Sequence, residues 1–202
     1  MDAAGNPLPR LLVFRMSLNG PVDLTSQGYY IVLLNAQGQP IEATDIDTFT
    51  DFIRFDGRNF DWFHRQVNLP NPGFTFVQAG NLNQAGRVTP DGRTLEIVLD
   101  TGQSTNFINQ FIAGKNFTAH ALTSDAFGGA LIGRTLDTLG QGPNLGSNSL
   151  QTLTVAKGVG LISPVPQFYP VDPGADFIVQ NDLRPDYPYP SYDITRLEVT
   201  AQ

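Results

Sequence analysis

Short runs of β-branched and aromatic residues recur along the whole chain, and turn-forming Gly, Pro, Asn and Asp separate them. The 20 glycines and 15 prolines suit tight turns and leave little room for long helices. The pattern predicts an all-β fold: a single antiparallel β-sandwich, immunoglobulin-like or jelly-roll-like, with about ten strands. The predicted strands are RLLVFRMSL (10–18), GYYIVLLN (28–35), TFTDFIRF (48–55), NFDWFHRQV (59–67), GFTFVQ (73–78), RTLEIVLD (93–100), NFTAHALT (116–123), SLQTLTVAK (149–157), DFIVQ (176–180) and DITRLEVTA (193–201).

A few segments depart from the strand pattern. STNFINQFI (104–112) has apolar residues near helical spacing after a Ser/Thr cap, which predicts the only short helix. The Gly-rich residues 140–148 and the Pro- and Tyr-rich residues 164–192 predict long loops. Residues 193–201 predict a final strand that returns to a sheet. We therefore expect residues 1–202 to form one domain.

The charge balance excludes several classes of function. A net charge of −7 and a pI of about 4.6 argue against nucleic acid as a partner, because that binding needs clustered Lys and Arg. The sequence has no basic run that would attract an anionic membrane and no apolar run long enough for a transmembrane helix. Because cysteine is absent, disulfides, thiolate nucleophiles and cysteine-ligated zinc are excluded.

The composition also predicts a compartment. Few Lys and Glu, together with abundant Asn, Gln, Thr and Gly, are typical of exported bacterial domains. We therefore expect an extracytoplasmic location, whether periplasmic, cell-surface or secreted. The opening residues MDAAGNPLPR lack the charged start and apolar middle of a signal peptide, so we expect a native signal or lipid anchor to be absent from this sequence.

The stretch FDGRNFDWFHR (55–65) predicts a hairpin with two different faces. If Asp56 and Gly57 are the central pair of a two-residue turn, Asp51 lies opposite Trp62. One face is then apolar and turns the tryptophan into the core, with Phe49, Ile53, Phe55, Phe60 and Trp62. The other face is mostly polar, and a ligand site on it would use Arg54, Asp61, Phe63 and Arg65.

A second group of candidate binding residues comes from RPDYPYPSYD (184–193), where Tyr alternates with Pro. Such a segment is stiff and extended, and Tyr187, Tyr189 and Tyr192 are suited to contact a sugar or a partner protein. The alternative is that these tyrosines pin a long loop onto the sandwich.

Catalytic and metal motifs are weak. Asp45, Asp47 and Asp51 could supply oxygen ligands to calcium, although they lack the Glu and Gly of an EF-hand loop, and solvated loop carboxylates are the alternative. The histidines, His64 and His120, have no paired-ligand spacing, and each is interpreted as a hydrogen-bonded strand residue. No nucleophile elbow or complete nucleotide-binding motif is present, so the sequence predicts neither a catalytic residue nor a cofactor.

The chain contains, in this order, the segments RMSLNGPVD, GYYIVLLN, DFIRFDGRNF, RTLEIVLD, FTAHALTSD and RTLDTLGQG. This order of strands, from about residue 10 to residue 157, resembles that of exported bacterial β-sandwiches of the DOMON and family 9 carbohydrate-binding-module type. The resemblance implies binding of a sugar, a haem or a redox partner at one sheet face. Paired sugar-clamping tryptophans have no counterpart here, since Trp62 is the single tryptophan, and no motif places Met16, His64 or His120 as haem ligands.

These observations predict a non-catalytic extracytoplasmic binding domain, such as the soluble part of a bacterial lipoprotein, that recognises a carbohydrate or a partner protein. Two alternatives remain open. One is a structural or assembly domain without a small ligand, and the other is a hydrolase that uses loop aspartates.

Overall fold

The fold is almost entirely β in the part of the chain that the computed structural model describes. The described residues are 11–42, 45–67, 73–100, 117–125, 135–139, 153–155, 157–158, 161–162, 167–168 and 188–201. The strands are β1 (Leu11–Leu18), β2 (Tyr29–Asn35), β3 (Asp51–Phe55), β4 (Phe60–Val67), β5 (Phe74–Asn81), β6 (Gly86–Val88), β7 (Thr94–Asp100), β8 (Phe117–Ser124), β9 (Thr135–Thr138), β10 (Leu153–Val155), β11 (Lys157–Gly158), β12 (Leu161–Ile162), β13 (Gln167–Phe168) and β14 (Ile194–Ala201). Two 3-10 turns, Ile46–Thr48 and Tyr189–Ser191, are the helical elements within these ranges. The predicted helix at 104–112 and the predicted strand at 176–180 lie outside the described residues.

Two antiparallel sheets form the sandwich, which confirms the predicted fold class. The first sheet has the order β13-β14-β1-β7-β6, and the second has the order β10-β8-β2-β3-β4-β5, with β9 also paired to β8. Strands β11 and β12 pair with each other. The predicted final strand is confirmed as β14, which lies beside β1 in the first sheet.

The core between the sheets follows from strand alternation, because successive side chains of a strand point to opposite faces. In β1, Leu12, Phe14 and Met16 are buried in this core, whereas Arg15 and Ser17 lie on the outer face. The same core contains apolar side chains from β2, β3, β4, β7, β8 and β14, so both sheets share it.

The second sheet is buried on both faces around β2. The run YYIVLLN is continuously apolar because Tyr30 and Val32 face the core, while Ile31 and Leu33 lie in a second apolar cluster on the outer face. This outer cluster also contains Ile41, Phe49, Phe52 and Leu122, with Tyr29, Phe63 and Phe76 half-buried against it. The outer face therefore becomes polar only at its margin.

The hairpin between β3 and β4 turns one residue later than predicted. The Asp56 N–H donates to the Asn59 carbonyl oxygen at 3.2 Å, so Gly57 and Arg58 are the central pair, and Gly57 has a φ of 87°. Asp51 consequently lies opposite His64 rather than Trp62. The correction shifts the pairing by two residues, which leaves the side chains of the paired residues 51–55 and 60–64 on their predicted faces.

The inward orientation of Trp62 is confirmed, since its side chain is only 2% exposed. Phe49 was assigned to the same face, and that assignment is wrong. It precedes the first residue of β3, where alternation no longer applies, and its ring stacks on Phe76 in the outer cluster, with centroids 5.3 Å apart. No helix among the described residues is long and apolar enough to span a membrane.

Candidate functional site

An ion pair occupies the outer face of the β3–β4 hairpin. Arg54 and Asp61 are directly opposite each other, and the Arg54 Nη2 atom donates to Asp61 Oδ2 at 2.8 Å. The two side chains are only 16% and 7% exposed, so the pair is largely shielded from solvent. The second carboxylate oxygen of Asp61 accepts a hydrogen bond from Gln78 Nε2 on β5 at 2.7 Å. Asp61 therefore holds both the Arg54 guanidinium group and the Gln78 amide in place.

Two aromatic rings flank the guanidinium group. The Arg54 Cζ atom lies 4.8 Å from the ring centroid of Phe63 and 5.6 Å from that of Tyr29, within the range of cation–π attraction. Phe63 also stacks on the buried ring of Phe52, with centroids 4.6 Å apart and an interplanar angle of 10°. We call this set the Arg54 surface, and it consists of Tyr29, Arg54, Asp61, Phe63 and Gln78.

Sequence reasoning predicted three members of the Arg54 surface and missed two. Tyr29 and Gln78 were missed because the sequence does not show that β2 and β5 lie on either side of the hairpin. Alternation within GYYIVLLN does place Tyr29 on the face of Ile31, and that signal becomes useful only once the strand order is known.

Arg65 lies further along β4 on the same face, and its contacts lead away from the Arg54 surface. Its Nη1 atom donates to the backbone oxygen of Asp47 at 3.0 Å, and its Nη2 atom lies 4.0 Å from the Asp47 carboxylate. The Arg65 side chain thus ties β4 to the 3-10 turn before β3.

A buried carboxylate lies on the opposite face of the same hairpin. Asp51 Oδ1 accepts hydrogen bonds from Trp62 Nε1 at 2.9 Å and from His64 Nδ1 at 2.8 Å. Burial raises the pKa of the Asp51 carboxyl, although hydrogen bonds from Thr50, His64 and Trp62 oppose the rise. The interpretation of His64 as a hydrogen-bonded strand residue is confirmed by this contact.

The calcium hypothesis is corrected by the positions of its three aspartates. Asp45 caps the 3-10 turn by accepting from the Asp47 N–H at 2.9 Å, and the Asp47 side chain is 72% exposed. Asp51 points into the fold, where its carboxylate bonds Trp62 and His64. Among the described residues no group of three His, Cys, Asp or Glu is arranged to hold a metal ion.

The tyrosine segment also requires a correction. Tyr192 is fully buried, its hydroxyl donates to Asp23 Oδ2 at 2.6 Å, and its ring stacks on Tyr30 with centroids 5.1 Å apart. A surface ligand cannot reach this ring, so Tyr192 serves to pin the entry of β14 to the sandwich. Tyr189 is half-buried against the core, and Tyr187 lies outside the described residues.

The class of protein that the fold defines is an antiparallel β-sandwich with a mixed aromatic and polar surface on one sheet. Comparisons with protein-family models, with curated proteins and with solved structures found no match for this chain. The resemblance to DOMON and family 9 carbohydrate-binding modules stays a prediction.

Proposed function

We propose that this chain is a non-catalytic, extracytoplasmic binding domain that recognises a carbohydrate through the Arg54 surface. The observation that carries the proposal is the Arg54–Asp61 pair held between the half-buried rings of Tyr29 and Phe63. The extracytoplasmic location rests on the composition of the chain alone.

The chemistry of this surface suits a sugar. A pyranose presents apolar C–H faces and a rim of hydroxyl groups, so its recognition needs apolar area next to planar polar groups. Aromatic rings supply rigid apolar area, and carboxylate, amide and guanidinium groups supply acceptors and donors in fixed directions. Tyr29 and Phe63 are the rings here, and Asp61 and Gln78 are the polar groups beside them.

The surface is also held in place before any ligand arrives. Phe63 is supported from behind by Phe52, and Arg54 is fixed by both an ion pair and two ring contacts. A ligand that binds preordered side chains loses less conformational entropy than one that must order them. The fixed geometry therefore favours binding.

The proposal is tested by measuring affinity for a panel of immobilised polysaccharides with variants of the Arg54 surface. Phe63→Leu keeps apolar bulk against Phe52 and removes the flat ring face, and Gln78→Ala removes an exposed amide. We expect each variant to weaken binding by about tenfold, the worth of one good contact.

The matched control is Val77→Ala. Val77 is 38% exposed and adjacent to Gln78 on β5, but its side chain points to the opposite face. Unchanged binding in this control and weaker binding in the two test variants supports the site. Equal affinity of all three variants and the parent chain, with unfolding midpoints unchanged, contradicts it.

A further inference from the structure

Among the described residues, the arginines that β3 and β4 place on the outer face of the second sheet are already paired. Arg54 forms its ion pair with Asp61 at 2.8 Å, and Arg65 is held by the backbone oxygen of Asp47 at 3.0 Å, next to that residue's carboxylate. Both arginines therefore have an aspartate of this chain beside them.

We infer that the ligand of the Arg54 surface is a neutral glycan, without carboxylate or sulfate groups, and this inference rests on the proposed function. An anionic sugar would have to compete with Asp61 for a guanidinium group that is only 16% exposed. Displacing that pair would leave the nearly buried Asp61 carboxylate without its cation, which is costly.

The surrounding charge disfavours an anion as well. Asp45 and Asp47 are exposed near the Arg65 end of the face, and the whole chain carries a net charge of −7. An approaching polyanion meets repulsion from these groups at low ionic strength. A neutral sugar meets none of it, and the ring faces and the amide of Gln78 can contact it directly.

The test compares polysaccharides that share a backbone and differ in charge. Suitable pairs are dextran and dextran sulfate, hydroxyethylcellulose and carboxymethylcellulose, and methyl-esterified and de-esterified pectin. We expect the chain to bind the neutral member of at least one pair about tenfold more tightly than the charged member. That binding should be nearly independent of salt up to about 0.5 M.

Asp61→Asn provides a second arm, because it releases the charge of Arg54 while keeping the shape of the side chain. We expect this variant to gain affinity for the anionic member of the bound pair, with folding checked by circular dichroism.

The outcomes separate the two claims. If the chain binds an anionic member more tightly than its neutral counterpart, and Phe63→Leu weakens that binding, the neutral-glycan inference is overturned and the proposed function stands. If the chain binds no member of any of the three pairs, the proposed function is overturned, and the inference with it. A neutral preference that Phe63→Leu removes supports both.

Discussion

The anchor of the last strand allows a quantitative prediction. Tyr30 and Tyr192 stack on each other, and both hydroxyl groups contact Asp23 in the loop that precedes β2. The Tyr192 hydroxyl donates to the Asp23 carboxylate at 2.6 Å. The Tyr30 hydroxyl donates to the Ser191 carbonyl oxygen at 2.9 Å and accepts from the Asp23 N–H at 2.8 Å. Tyr→Phe at either position removes one buried hydroxyl, but only the Tyr192 hydroxyl donates to a charged acceptor.

The two changes should differ in their dependence on pH. Burial by itself raises the pKa of Asp23, but hydrogen bonds from Thr25, from Tyr192 and from backbone N–H groups hold that pKa below its ordinary value. A carboxyl with a lowered pKa stabilises the fold above its unfolded pKa of about 4, and this stability is lost as pH falls through the folded pKa. Tyr192→Phe should therefore cost about 2 kcal/mol at neutral pH and less at about pH 3.

Tyr30→Phe is the matched control, because both partners of its hydroxyl, the Ser191 carbonyl oxygen and the Asp23 N–H, are uncharged. We expect a loss of about 2 kcal/mol in the free energy of unfolding that changes little with pH, since two buried hydrogen bonds are removed. The measurement is urea unfolding at neutral and acidic pH, followed by circular dichroism and by the fluorescence of Trp62, with the m-value checked for constancy. An equal loss for Tyr192→Phe at both pH values would refute the reasoning, since the Asp23 bond would then contribute no charge-dependent stability.

Three further predictions concern stability and burial. Gly20→Ala should destabilise the fold by about 2 kcal/mol in a urea titration, because a Cβ there would lie 2.6 Å from the Pro190 carbonyl carbon. Trp62 should emit in the blue and resist iodide quenching; red, quenchable emission would contradict its burial. Arg15→Ala should lower the unfolding free energy by about 1 to 2 kcal/mol, because Arg15 bridges two glutamates across three strands. Arg87→Ala should change it by less than about 0.5 kcal/mol, because the Arg87 side chain is 67% exposed.

Alternation made the faces of the hairpin predictable even though the turn was misplaced. Moving the centre of a two-residue turn by one position shifts the pairing by two, and side chains repeat every two residues, so Trp62 stayed inward. Phe49 was misplaced because it lies outside the ladder, where the chain direction is set by the 3-10 turn before it.

Other features depend on contacts between distant segments, which the sequence pattern does not contain. Tyr192 is buried because Tyr30 and Asp23, more than 160 positions away in the chain, receive its ring and its hydroxyl. Gln78 reaches Asp61 because β5 pairs with β4 through an irregularity between Trp62 and Phe63. Local propensity predicts the strands, but strand order and bulges decide which side chains meet.

The position of Phe63 at the margin of the outer cluster changes how its substitution must be interpreted. A fully exposed ring could be replaced by Ala with little effect on stability, but Phe63 stacks on the fully buried Phe52, so Ala would also leave a gap beside the cluster. The stacking of Phe63 on Phe52 thus both holds the ring rigid for a ligand and contributes to the stability of the fold. A loss of binding in Phe63→Ala would therefore be ambiguous, whereas the same loss in Phe63→Leu with an unchanged unfolding midpoint would isolate the flat ring face as the binding determinant.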